Sequence, residues 1–442
     1  MEAIVLDKNK INQSLIDGDI ASPGVLPHLD NLKTIPFVFK QDFGLPILPQ
    51  EPGILMIRGP RQYGKSTWLE QQVANTISEF GPGSALYLNG DEIVDHTALM
   101  NEIRCLISLF KPNIIVKRLF IDEITAVDHW QKAIKRLADT GELREILLVT
   151  TGSKATDLRR GVERLPGRKG KLNRTNFIFT PVSYAEFFKK CGDFFQENSL
   201  WAYILSGGSP VGINAIAETN KLPDYVVSIV SDWILGEFSA KGRSRSHLLA
   251  VLQSLYRMAG NPIGQAKLAR ESGLSNNTMA QGYIDLLVDL LTIMPAFPYD
   301  PQRKISIFRK PCKYHFVNLL AAVCWHPKKP RTIVDLKNLG KDLGALLEWT
   351  VAQEIWRRAC ITNSNELTEH MNFWQSNDHE IDFILPNQNI YLEVKSGNAA
   401  ATDFIWFLNT FKNDKLIVIN KKHFDTERIT GITLEDFLQF ES

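Results

Sequence analysis

The chain has 442 residues, with 50 basic and 49 acidic side chains and a formal net charge of +1. That balance excludes a global positive field demanding nucleic acid and leaves only a local basic patch open. Its 44% hydrophobic and 22% charged residues are ordinary for a soluble globular protein, and its length fits roughly three domains of about 150 residues.

No uninterrupted apolar stretch reaches the ~20 residues needed to span a bilayer, so no membrane segment is expected. The opening residues lack a basic stretch followed by a long apolar core. The five cysteines are scattered and form no C-x-x-C pair. Reduced thiols in a cytoplasm is the plain reading.

Residues 1–50 carry Pro23, Pro27, Pro36, Pro46 and Pro49 and read as a partly helical lead-in that wraps onto the next domain. From 51 to 185 the pattern alternates strand and helix. Ile54-Leu55-Met56-Ile57 is a short apolar run that reads as a buried strand. Gly59, Pro60, Arg61, Gln62, Tyr63, Gly64, Lys65, Ser66 and Thr67 come next and fit G-x-x-x-x-G-K-[ST]. The glycines let backbone N–H groups turn inward, and the helix start adds a partial positive charge. Lys65 reaches the terminal phosphates of ATP, and the Ser66 hydroxyl can hold Mg2+. Good helix formers from Trp68 onward complete the strand–loop–helix setting, which an ordinary Gly-rich turn does not require.

Further strands are expected at 84–88, 118–121, 146–149 and 176–179, with helices at 95–110 and 130–138. This alternation implies a parallel sheet covered on both faces. Ligands bind such sheets beyond the strand C-terminal ends. The third strand ends in Asp122-Glu123. Asp122 can share the magnesium with Ser66, and Glu123 can polarise an attacking water. Thr151 and Ser153, at the end of the fourth strand, can sense the terminal phosphate. The basic segment 154–174 is in the plain case a solvated face. Arg168 within it is the candidate to reach a phosphate across a subunit interface.

The ordered succession of GPRQYGKST, LFIDEIT, TGS, ERLPGR and PVSYAEF resembles a widespread group of prokaryotic AAA+-like ATPases whose C-terminal domain is similar to restriction endonucleases. The resemblance covers roughly residues 50–440. It implies an AAA+ fold with Asp122-Glu123 as the Walker B pair, Thr151 or Ser153 as sensor, and homo-oligomeric assembly. The chain departs from the group at Ser209, where an aromatic is usual, and at Asn318, where Asp is common.

Residues 186–245 read as the small helical lid behind the nucleotide. Residues 246–330 give helix, turn, helix, strand, a winged-helix pattern with Ser275 as the cap of its third helix and the strand at 305–310. That third helix has no Lys or Arg, which favours a structural or interaction role over DNA binding.

In 331–442, Glu380–Leu385 and Ile390–Lys395 read as a hairpin around a four-residue turn. Pairing Leu385 with Ile390 sets Asp382 opposite Glu393. One face is then apolar (Ile381, Phe383, Leu385, Ile390, Leu392, Val394), and the other carries Glu380, Asp382, Glu393 and Lys395. Facing carboxylates need a cation, which a divalent metal or Lys395 supplies. Glu348, bordering the apolar stripe of the preceding helix, is a third candidate carboxylate. Glu, Asp, then Glu-x-Lys resembles the PD-(D/E)xK nuclease signature, with Ile381 where Pro is common. That resemblance implies Mg2+ on Glu348, Asp382 and Glu393, with Lys395 orienting or deprotonating the attacking water.

The expected fold class is α/β: an AAA+ P-loop sheet with helical lid, a winged helix, and an α/β restriction-endonuclease-like domain. Two functions are open. One is ATP hydrolysis coupled to Mg2+-dependent action on nucleic acid, DNA ahead of RNA. The other is an ATP-dependent oligomeric switch whose C-terminal domain binds nucleic acid or protein without cleaving.

Overall fold

Residues 7–153 and 170–440 are described by the computed structural model. Arg168 and most of the basic segment, from Lys154 to Lys169, lie outside the described residues. The chain divides into two units, residues 1–180 and 181–442.

The first unit is built on five parallel strands: β1 (Gly53–Arg58), β2 (Ala85–Asn89), β3 (Lys117–Asp122), β4 (Ile146–Gly152) and β5 (Asn176–Ile178). They lie in the order β2-β3-β4-β1-β5. Strands β1, β3 and β4 are near-continuous apolar runs because helices cover both faces. One face packs Leu99, Ile103, Trp130, Ile134 and Leu137 against β2, β3 and β4. The other packs Trp68, Leu69 and Val73 of the helix Lys65–Phe80 against β1 and β4.

The lead-in is part of this second core. Leu15, Val25, Leu26, Phe43 and Leu48 are buried in it, and the Phe43 ring meets Trp68 edge-on at 5.1 Å. Asn12, in the helix Lys8–Asp17, donates to the Tyr87 carbonyl and accepts from the Tyr87 N–H, both at 2.8 Å. Its amide thus acts as one rung of a ladder along the sheet edge at β2.

The second unit begins with helices Tyr184–Phe195, Ser199–Ser206, Pro210–Thr219 and Asp224–Ala240, the stretch expected as a lid. Helices Arg245–Arg257, Gln265–Glu271 and Asn277–Asp289 come next. The cap of the last differs from expectation: Asn276, not Ser275, accepts from the Met279 N–H at 2.9 Å. The strand expected at 305–310 is only β7 (Ile305–Ser306). The long strand of this region is β6 (Ile293–Asp300), which pairs antiparallel with β8 (Lys313–Phe316).

β6 also pairs in parallel with β9 (Met371–Gln375), and β9 with β10 (Glu380–Ile381). The boundary expected at 330 therefore cuts through one hydrogen-bonded sheet. Asn318 accepts from Ala321 N at 3.0 Å and caps the helix Leu319–Cys324, a role open equally to the Asp of the resembling group.

The last sheet is mixed, in the order β11-β12-β13-β15-β14. Its strands are β11 (Phe383–Leu385), β12 (Ile390–Val394), β13 (Lys415–Ile419), β14 (Phe424–Asp425) and β15 (Ile429–Ile432). The expected hairpin register is present: Leu385 pairs with Ile390 and Phe383 with Leu392. The expected division into one wholly apolar and one charged face is not. Ile384 and Tyr391 share the charged face and are buried, because Phe404, Phe407 and Phe411 pack over that part of it. The helix Asp342–Thr362 is likewise buried all round, down to Glu354, whose carboxylate takes two bonds from Arg357 at 2.8 and 2.9 Å.

Candidate functional site

The phosphate-binding loop leaves β1 at Arg58 and enters the helix at Lys65. Gly64 holds φ +98°, a conformation that L side chains rarely adopt. At Gly59 the reason is space: a Cβ would stand 2.7 Å from the Phe179 Cβ. No side chain caps the helix Lys65–Phe80, so its first N–H groups point into the loop, as anion binding requires. Lys65 is only 4% exposed, and its Nζ donates to the carbonyls of Gly59 (3.1 Å) and Pro60 (2.9 Å). Burial lowers its pKa, opposed by Glu123 and Asp122. Ser66 and Thr67 are half-buried, Arg61 and Gln62 exposed, and the Tyr63 ring is in the core.

β4 lies between β3 and β1, which brings its C-terminal hydroxyls to the two acids. Thr151 Oγ1 donates to Asp122 Oδ1, and the Glu123 N–H bonds to both of those oxygens at 3.1 Å. Glu123 accepts from the Ser153 N–H at 2.9 Å and from its Oγ at 2.5 Å. Thr151 and Ser153, expected to sense phosphate, are thus engaged with the acidic pair. Glu123 sits at φ +44°, a strained conformation for a residue with a Cβ. Gly90, which sequence reasoning passed over, permits it: a Cβ there would lie 2.5 Å from the Glu123 carbonyl oxygen.

The second constellation lies in the second unit. Glu348, Asp382 and Glu393 are all buried. Asp382 Oδ2 accepts from the Val394 N–H at 2.9 Å, and Lys395 Nζ donates to Glu393 Oε1 at 2.5 Å. Sequence reasoning missed two residues of β8. Lys313, with a side chain 1% exposed, bonds Glu380 Oε1 and stands 3.5 Å from Asp382 Oδ1 and 4.0 Å from Glu348 Oε1. His315, fully buried, has Nδ1 3.5 Å from Glu348 Oε1.

Burial and then the Asp382 charge push the carboxyls of Glu348 and Glu393 up to about 8. Burial, then Lys313, drives the His315 imidazole down to about 3. Burial alone would lower the Lys313 pKa, but Asp382, Glu348 and Glu380 together raise it. Buried oxygens Glu348 Oε1 and Glu393 Oε2 and both His315 nitrogens have no hydrogen-bond partner. This donor set suits a hard cation. Among the described residues, however, no three of His, Cys, Asp or Glu are arranged to hold one.

Residues 51–188 match the family model described as an AAA domain, and residues 343–437 match that of a domain of unknown function, DUF4143. The first stretch is therefore a P-loop domain of the AAA class of ATPases. The chain is 30% identical over 179 residues to an uncharacterized protein, MJ1544, of Methanocaldococcus jannaschii, a match covering 40% of this chain and 37% of that one. Among solved structures it is similar to the Walker-type ATPase of Pyrococcus abyssi (TM-score 0.42, 12% identity, 73% of this chain and 96% of that one). It is also similar to the Orc1 protein of Aeropyrum pernix in complex with DNA (TM-score 0.32, 11% identity, 73% and 93%). AMPPCP-bound DnaA from Aquifex aeolicus gives a TM-score of 0.28 at 12% identity, over 64% and 88% of the two chains. No helix among the described residues is long and apolar enough to cross a membrane.

Proposed function

We propose that the protein is an oligomeric cytoplasmic ATPase acting on nucleic acid, DNA ahead of RNA, with its nucleotide cycle coupled to a nuclease-like domain in residues 331–442. The observation that carries the reading is the convergence of Thr151 and Ser153 on Asp122 and Glu123, beside a loop whose Lys65 is buried on its own carbonyls. On phosphate arrival Lys65 exchanges the Gly59 and Pro60 carbonyls for phosphate oxygens. The uncapped helix start neutralises further charge, and Glu123 holds the attacking water and accepts its proton. Ser66 and Asp122 would hold Mg2+, which would neutralise charge developing on the phosphate.

In the second unit, Glu348, Asp382 and Glu393 are not arranged around a cation as they stand; drawn together, they would hold Mg2+, which would supply Lewis-acid stabilisation of a phosphodiester. Lys395, about half exposed and bonded to Glu393, would orient the water. Helices at 245–289 followed by β6 and β8 fit the winged-helix reading. A second reading, a module that binds without cleaving, is favoured by one observation: Lys313 already supplies a cation to the cluster.

Lys65→Ala is expected to lower ATP turnover by more than about a hundredfold, the scale of losing preorganised charge stabilisation. Glu123→Gln is expected to keep ATP binding and lose hydrolysis. Turnover by both variants at the wild-type rate would sink the ATPase reading. Incubation with DNA and RNA forms, ATP and Mg2+ tests the nuclease half. No cleavage in any, with ATPase intact, removes it and leaves the binding module.

A further inference from the structure

The charge on the carboxylate cluster does not come from the hairpin alone. β8 belongs to a different stretch of chain from the E-x-D…E-x-K pattern, yet its first side chain reaches into the middle of that pattern. The Lys313 backbone pairs with Ala296 of β6. Its ammonium has carboxylates of Glu380, Asp382 and Glu348 on it, and lies 5.0 Å from the centre of the Phe373 ring. A lysine this buried persists only when paired. A divalent ion shared by Asp382 and Glu348 would have to approach the point where those carboxylates already meet this ammonium.

Two further observations mark the position as a ligand site rather than an ordinary buried ion pair. The His315 ring, two residues along the same strand, has both nitrogens unpartnered and one aimed at Glu348. A cavity of about 490 Å³, lined by Tyr256, Arg257, His326, Lys341 and Trp349, also reaches Glu348. Of the cluster, Glu348 is therefore the carboxylate that the cavity reaches, and the cluster holds more donor atoms than Lys313 satisfies.

We propose that Lys313 is the resident cation of this cluster, so that a divalent metal binds Glu348, Asp382 and Glu393 only in competition with the Lys313 ammonium. The proposal rests on reading those three carboxylates as a ligand set. It makes Lys313 a positioning residue that decides whether the nuclease-like site is loaded.

The test is an electron paramagnetic resonance titration of Mn2+ with the full chain, in the absence of nucleotide so that the phosphate loop is not loaded. Lys313→Met is expected to bind Mn2+ at least about tenfold more tightly than wild type, a gap of about 1.4 kcal/mol. Lys313→Arg, which keeps the charge, is expected to stay weak, and Lys313→Met combined with Asp382→Asn to lose the gain. Equal affinity of wild type and a folded Lys313→Met, at any strength, overturns the proposal. If wild type binds Mn2+ tightly and Asp382→Asn abolishes it, Lys313 is no barrier while the ligand-set reading stands. If a folded Lys313→Met binds none, both fall.

Should Lys313→Met not fold, thermal melting of Asp382→Asn in EDTA decides. With Lys313 as resident cation, removing one of its anions lowers Tm. A rise in Tm reports carboxylates repelling one another and overturns the proposal.

Discussion

Glu123 takes its place because Gly90 leaves room for its carbonyl, so the strain at Glu123 depends on a residue outside the motif. Gly90→Ala forces a methyl to within 2.5 Å of that oxygen. It is expected to cost about 1–3 kcal/mol, the range for overpacking, and to lower ATP turnover more than ATP binding, as parallel melting and turnover measurements would show. Glu70 makes a different prediction. Its buried carboxylate accepts from the Leu29 N–H at 3.0 Å, and burial raises its pKa from 4.5 to about 8. The stability tied to this proton is fully present below the unfolded-state value and is lost as pH rises through the folded value. Glu70→Gln keeps an acceptor for Leu29 and never ionises. Its Tm advantage over wild type is expected to widen between about pH 5 and pH 8.5; a gap that stays constant with pH rules the assignment out.

Among elements, the edge strand β2 is closed by a side chain. Asn12 satisfies both backbone groups of Tyr87, so Asn12→Ala is expected to lower stability by about 2 kcal/mol, two hydrogen bonds at roughly 1 kcal/mol each. Chemical denaturation checks this. A loss near zero would mean that water replaces the amide at the edge.

The legibility of elements in the sequence tracks their signals. β1, β3 and β4 are apolar runs ended by glycine or acid, so local composition reveals them. The hairpin register from Leu385 to Ile390 comes from turn length. β6 is hidden because Pro295 and Pro298 interrupt it, each removing a ladder donor, and the strand survives by having partners on both sides. The role of Lys313 is hidden for another reason. A single lysine in a short strand has no periodicity, and its carboxylates arrive from residues 348, 380 and 382 only through tertiary folding. The same holds for Thr151 and Ser153: their strand is legible, but their choice of partner is not.

At the scale of the molecule, each unit has its own core, and this decides where the chain tolerates cutting. A fragment of residues 1–180 is expected to melt cooperatively and retain ATP binding, whereas a fragment beginning at 331 is expected to aggregate. The second cut strips β9 of β6 and leaves an unpaired sheet edge. Soluble, cooperatively melting protein from residue 331 onward would show that the parallel pairing is dispensable. The pairing of Ala296 with Met371 also sets a timetable. Parallel contacts between distant positions form slowly, because the loop must close before the ladder repays it. During synthesis β6 has β8 beside it early but waits for β9 until the long helix Asp342–Thr362 and the turn beyond it have left the ribosome. In that interval one side of β6 is an open template, which makes the nascent second unit the part of this protein most in need of a chaperone.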